Sequence, residues 1–140
     1  IQYIEDNGVV VAICGGFQLL GRYYVNASGE RLNGISAIDV CTNGQFPNRL
    51  IGDVEIFNEE FGETYLGYEN HIGRTYLGKN MKPLGKVVKG YGNNEEDHAE
   101  GCLYKNVFCS YFHGPILVRN QHLADRIIKT AAQRRREKNA

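Results

Sequence analysis

The stretch Val9-Val10-Val11-Ala12-Ile13-Cys14-Gly15-Gly16-Phe17-Gln18-Leu19-Leu20-Gly21 decides how the rest of the chain is read. Val9 to Ile13 is apolar at every position, so it reads as a strand buried on both faces, the parallel type. Gly15-Gly16 breaks it. Phe17 and Leu20, with Tyr24 beyond them, recur at helical spacing, so the chain turns straight from strand into helix. A cysteine sits on that turn. A nucleophile on a tight strand-to-helix turn needs small residues two positions before and two after it, because the backbone doubles back there. Ala12 and Gly16 meet that need, as the glycines do in a Gly-x-Ser-x-Gly elbow. The turn would lift the Cys14 sulfur clear of the sheet and place it at a helix N-terminus, where free N–H groups favour a thiolate. The Gly15 amide would then be set to donate to an oxyanion. The competing reading is a buried structural cysteine at a strand end, since free cysteine is among the most buried residue types.

Outward from this segment, Ile1 to Asp6 is helical and Asn7-Gly8 stops it. Asn26 to Asn33 is a polar turn. Strands are expected over Ile35–Cys41, Ile51–Phe57, Thr64–Tyr68 and Leu84–Lys89, and Gly90 to Glu100 reads as a flexible acidic loop. Cys102–Tyr104 and Val107–Phe112 form a hairpin around Lys105-Asn106. Asn120 can cap a last helix with Leu123, Ile127, Ile128 and Ala131 as its apolar stripe. The expected class is α/β, a mixed and mostly parallel sheet flanked by helices.

Composition narrows the function. The 140 residues make one domain by length. Sixteen Lys plus Arg against sixteen Asp plus Glu give zero net charge, which argues against a nucleic-acid binder. No apolar run approaches the roughly 18 residues of a membrane span. The four cysteines, Cys14, Cys41, Cys102 and Cys109, contain no Cys-x-x-Cys pair, so zinc and thioredoxin-type signals are absent. Reduced thiols in a cytoplasm are the expectation. No metal-ligand spacing is present among Glu69, His71, His98 and His113.

A cysteine nucleophile needs a base. His113 directly follows a predicted strand and precedes Gly114-Pro115, so it can reach the sheet edge that a nucleophile elbow occupies. His71 is the competing candidate. An ordinary polar role at a strand end is the alternative for either.

Three segments together carry a family resemblance. Val11 to Gly21 resembles the nucleophile segment of class I, triad-type glutamine amidotransferases, in the branch shared with cobyric acid synthase (a flavodoxin-like fold). Gly67-Tyr68-Glu69-Asn70-His71-Ile72-Gly73-Arg74-Thr75 resembles that branch's second signature. Tyr111-Phe112-His113-Gly114-Pro115-Ile116-Leu117 resembles its histidine segment. Pro47 to Asp53 and Gly92 to Glu96 bring the likeness nearest to the small glutaminase subunits of lipid II isoglutaminyl synthases.

The resemblance implies roles. Cys14 would attack the side-chain amide of L-glutamine to form a thioester, with His113 as general base and acid and Gly15 as oxyanion donor. Gln18 would help hold the substrate, and Arg49 would pair with its α-carboxylate. The ammonia would pass to a Mur-ligase-like (MurT-like) synthetase subunit carrying ATP and Mg, which amidates the D-glutamate of membrane-bound lipid II in peptidoglycan synthesis. This chain would need no cofactor of its own; it has no Gly-x-x-x-x-Gly-Lys-Ser/Thr loop. It would work in the cytoplasm as half of a heterodimer. Amidation of cobyrinate, or another Cys-His hydrolase reaction on the same fold, are the alternatives.

Two departures from the pattern follow. Many class I enzymes have Glu two residues past the catalytic His; here that position is Pro115. The third triad member is therefore absent, elsewhere in the chain (Asp97 and Glu100 are available), or donated by the partner, the reading favoured here. Residues 1–140 also match only the C-terminal portion of one amidotransferase domain, so an exposed hydrophobic edge and little activity of this stretch alone are expected.

Overall fold

A computed structural model describes residues 1–140. In chain order the elements are α1 (Gln2–Glu5), β1 (Val10–Ile13), α2 (Gly15–Leu20), β2 (Tyr23–Val25), β3 (Arg31–Asn33), β4 (Val40–Asn43), β5 (Leu50–Asn58) and β6 (Glu63–His71). They continue as β7 (Arg74–Leu77), β8 (Gly85–Lys89), β9 (Ala99–Glu100), β10 (Cys102–Tyr104), β11 (Val107–Ser110), β12 (Phe112–His113), α3 (Ile116–Arg119) and α4 (Gln121–Asn139).

The strands form three sheets, ordered β1-β11-β10, β12-β6-β5-β8-β9 and β3-β2-β4-β7. The mixed α/β architecture expected from sequence is present. Its parallel share is smaller than expected: only β1–β11 and β2–β4 pair parallel, and the other seven strand pairs are antiparallel. The reason lies in the connections. Parallel neighbours need a long crossover, whereas β2–β3, β5–β6 and β10–β11 follow one another through short turns that permit only antiparallel pairing. The polar stretch 26–33 is such a case. Asn26 Oδ1 accepts from the Ser28 and Glu30 amides and closes a turn, and β3 pairs back on β2.

The β1-β11-β10 sheet is packed on both faces, which explains its continuous apolar sequence. Val107 and Cys109 turn to a core with Phe17, Val40, Cys102 and Tyr111, while Phe108 turns to a second core with Ile56, Tyr65, Phe112 and Leu123. Strand β1 divides likewise, Ala12 and Val10 to the first core, Val9 and Ile13 to the second. It is an edge strand in this sheet, however, and Val11 is 38 % exposed, so it is less enclosed than its composition predicts.

The last helix starts after Asn120 as predicted, but not through the predicted cap. The Asn120 side chain makes no cap bond. Its Nδ2 donates to the carbonyls of Leu66 and Ile116, and its Oδ1 accepts from the Leu66 amide, stapling the α3–α4 junction onto β6. Leu123, Ala124 and Ile127 are buried; Ile128 and Ala131 of the expected stripe face solvent. No helix is long and apolar enough to cross a membrane.

Candidate active site

Parallel pairing of β1 with β11 matches Ile13 with Ser110, so both strands end at the same edge of the sheet. Cys14 leaves the end of β1, and its amide donates to the Ser110 carbonyl at 2.9 Å. Three residues past Ser110 comes His113, paired with Tyr68 in the neighbouring sheet. The nucleophile and base candidates, 99 residues apart in sequence, thus emerge from hydrogen-bonded neighbours at one edge, where ligands bind in open α/β sheets.

Cys14 has φ 52° and ψ −106°, a conformation that L-residues rarely hold. The turn keeps it there from both sides, through the amide bond to Ser110 and through the Gln18 amide, which donates to the Cys14 carbonyl. Ala12 and Gly16 do face each other across this elbow. A Cβ built on Gly16 would lie 3.7 Å from the Ala12 Cβ, ordinary contact, so the site requires small residues without requiring glycine. A Cβ on Gly15 would meet nothing within 4 Å, and this residue is exposed.

The thiol departs from the sequence expectation. Burial raises the Cys14 pKa, outweighing the Gly15 backbone N–H and the Arg49 guanidinium, which both lower it. The resting group is a thiol, and a base is required to make it a nucleophile. His113 is half-buried, with its Nε2 shielded from solvent and without a hydrogen-bond partner. Arg49 is exposed; its Nε donates to Asn70 Oδ1 at 2.8 Å. Arg74, almost fully buried, donates to the carbonyls of Asn48 and Ile72 and packs over Phe46, so it anchors the segment that carries Arg49. Gln18 is half-buried one turn past Cys14, and its Nε2 donates to the Tyr111 hydroxyl at 3.0 Å.

The acidic segment before β10 is not a loose loop. Asn94 Oδ1 accepts from the amides of Glu96 and Asp97, and Asp97 Oδ1 from that of Ala99, so its polar side chains fold it on itself. Glu100 is fully buried. It accepts from the Ser110 hydroxyl and from the Tyr111 amide at 2.7 Å, and Ser110 Oγ accepts from the Phe112 amide. This carboxyl thus fixes the corner between β11 and β12 from which His113 projects; burial pushes its pKa up to about 8. Neither Asp97 nor Glu100 hydrogen-bonds His113, and Pro115 stands two residues past it.

His71, the competing base, is buried inside the chain: Nδ1 bonds to the Gly73 carbonyl and the ring stacks on Tyr111. Sequence reading passed over Tyr111, Glu69, Arg74 and the structural role of Glu100. Tyr111, Glu69 and Arg74 lie inside the quoted signatures and Glu100 eleven residues before the last, but partners such as Thr75, Tyr91, Asn48 and Ser110 lie ten or more residues away.

A family model, the CobB/CobQ-like glutamine amidotransferase domain, matches residues 1–121. The chain is 59 % identical over 134 residues to the lipid II isoglutaminyl synthase (glutamine-hydrolyzing) subunit GatD of Streptococcus pneumoniae, covering 96 % of this chain and 52 % of that protein. It is 44 % identical to the subunit of the same name from Staphylococcus aureus, covering 96 % of this chain and 54 % of that one. A probable cobyric acid synthase of Methanothermobacter thermautotrophicus is 36 % identical, over 80 % of this chain and 27 % of its own length. The chain spans about half the length of the two synthase subunits it matches. With a strained cysteine elbow past the end of β1, a histidine three residues past the end of the neighbouring β11, and a family model matched along most of its length, the chain belongs to the CobB/CobQ-like glutamine amidotransferase domains.

Proposed function

We propose that this chain is the glutaminase portion of a lipid II isoglutaminyl synthase. It would hydrolyse L-glutamine and supply ammonia for amidating the D-glutamate of lipid II in peptidoglycan synthesis. The observation that carries the chemistry is the common edge at which β1 and β11 end, with Cys14 in its strained turn beside the segment that leads to His113. The higher identity to the isoglutaminyl synthase subunits than to the cobyric acid synthase favours this acceptor.

In this reading His113 takes the Cys14 proton as the sulfur attacks the amide carbon of glutamine. The Gly15 amide receives the developing oxyanion. The C–N bond breaks, the nitrogen takes the proton back from His113 and leaves as ammonia, and a glutamyl thioester remains. Water, deprotonated by His113, then attacks the thioester, and glutamate departs as sulfur regains its proton. Arg49 holds the α-carboxylate in a charge-assisted pair, and Gln18 contacts the substrate beside the nucleophile. The chain needs no cofactor for these steps. ATP and Mg belong to a Mur-ligase-like synthetase with which it forms a heterodimer in the cytoplasm, acting on lipid II at the membrane. With Pro115 where many class I enzymes have Glu, the group that orients His113 comes from that partner.

Labelling with a diazoketone analogue of glutamine tests the reading. Modification of Cys14 alone, together with ammonia release that the Cys14→Ala variant lacks, is the expected result. Labelling of another cysteine, or none, overturns it. Co-purification of a corrin-pathway enzyme instead of a Mur-ligase-like chain would overturn the choice of acceptor.

A further inference from the structure

Tyr111 is fully buried, yet its hydroxyl is the centre of a polar chain that ends at the candidate site. Gln18 Nε2 donates to it at 3.0 Å. On its other side the hydroxyl bonds Thr75 Oγ1, which bonds Thr42 Oγ1 at 2.7 Å. An amide nitrogen only donates, and a phenol carries one hydrogen. Tyr111 therefore accepts from Gln18, and its own hydrogen stays free for the bond to Thr75.

The ring cannot swing away from this duty. His71 stacks on one face, with centroids 3.8 Å apart and planes 11° apart, and Phe17 packs against it at 5.3 Å. His71 is locked in turn: Nδ1 bonds the Gly73 carbonyl at 2.8 Å, and Nε2 faces the Glu69 carboxylate at 3.7 Å. That carboxylate accepts from the Tyr91 and Gly92 amides. The backbone is cut to fit as well, since a Cβ on Gly73 would lie 2.9 Å from Gln18 Nε2. Within the chain, Gln18 Oε1 has no hydrogen-bond donor. Tying the nitrogen inward leaves this oxygen as the free end of the carboxamide.

We propose that Tyr111, clamped by His71, is a positioning residue that sets the Gln18 carboxamide with its carbonyl oxygen toward the substrate, where it accepts an N–H of the bound glutamine. An acceptor there favours the side-chain amide N–H of glutamine and repels the carboxylate that replaces it in the glutamate product. This inference rests on the glutaminase reading above.

The test is steady-state glutaminase kinetics of the full-length chain with the subunit it co-purifies with. Tyr111→Phe keeps the stacked ring and deletes the hydroxyl. It should raise KM for glutamine about fivefold, the scale of one neutral hydrogen bond, with kcat within about twofold. In a Gln18→Leu background the same change should have no further effect on KM, because both act through one contact. Iodoacetamide alkylation of Cys14 should proceed at the wild-type rate in Tyr111→Phe, which a general disturbance of the site would not allow. Tyr104→Phe, which deletes a surface hydroxyl bonded to Glu5, should leave KM and kcat as they are. Gly73→Ala presses on the same amide and on the Thr42 methyl, 2.9 and 2.7 Å from the added Cβ, leaves the Tyr111 ring in place and should also raise KM, so the idea remains testable if Tyr111→Phe does not fold. An unchanged KM in either folded variant, or additive effects in the double variant, overturns the role of Tyr111 alone. Absence of ammonia release by the wild type overturns it together with the glutaminase reading.

Discussion

Cys14 and the Cys102–Cys109 pair carry the same thiol in opposite settings. Cys102 and Cys109 face each other across β10 and β11, both fully buried. Burial alone raises the Cys102 pKa to about 12, and burial is the main cause of the upward shift of Cys109. Cys14 lies less than one strand length away, on the strand that pairs with β11, yet it is half-buried and has an amide and a guanidinium lowering its pKa against burial. The difference comes from backbone direction. A strand interior sends side chains alternately into the two cores. A strand end that turns at once into a helix sends its side chain along the sheet edge, where backbone N–H groups and other strand ends converge. The setting of each thiol is a property of the backbone around it, not of the residue type.

That contrast can be tested, the largest effect first. Replacing Cys14 by Ala should lower glutamine hydrolysis about a thousandfold or more, while Cys102→Ala should change turnover little and cost about 1–2 kcal/mol of stability by emptying core volume. Turnover assays and chemical denaturation separate the two. A comparable loss of activity from Cys102→Ala would erase the distinction.

Alkylation by iodoacetamide, followed by mass spectrometry of the folded protein, should modify Cys14 about a hundredfold faster than Cys102 or Cys109. The rate at Cys14 should climb with pH through the alkaline range, because its pKa lies above the ordinary thiol value.

Arg49→Met should raise KM for glutamine about tenfold or more, the loss of a charge-assisted pair. It should also slow alkylation of Cys14 at neutral pH. The sign follows from the guanidinium: it lowers the thiol pKa, so its removal leaves less thiolate.

Glu100 offers a smaller effect, on stability. Its folded pKa, about 8, is above the unfolded carboxyl value of 4.5, so the folded state binds the extra proton. Its stabilising contribution is complete below the unfolded value and is lost as pH rises toward 8, a change on the order of a few kcal/mol at most. Glu100→Gln should flatten that slope in denaturation measured from pH 5 to pH 8.

Gly16→Ala is the mildest change. With 3.7 Å to the Ala12 Cβ, it should fold and cost less than about 1 kcal/mol, whereas Gly16→Val should push the elbow apart and lower activity.

The site was legible in the sequence to the extent that its chemistry is local. The strand-turn-helix at Val9–Leu20, the hairpin around Lys105-Asn106 and the position of His113 at a strand end all follow from neighbours within a few residues. The role of Glu100 is not legible locally, because the stretch before it is acidic and contains two glycines; its order comes from Ser110 and Tyr111, ten and eleven residues on. Asn120 stands at the right position for a cap, and the structure uses its side chain against Leu66, 54 residues earlier.

Order along the chain and chemical type were settled by the string of residues: the unbroken apolar run before Cys14 and the small residues around it act over one or two turns, where backbone sterics are decided. Which strands became neighbours, how far burial lifted the Cys14 pKa, and which tyrosine holds Gln18 were decided by tertiary packing. Those quantities depend on desolvation and on contacts between residues tens of positions apart, and periodicity carries no information about either.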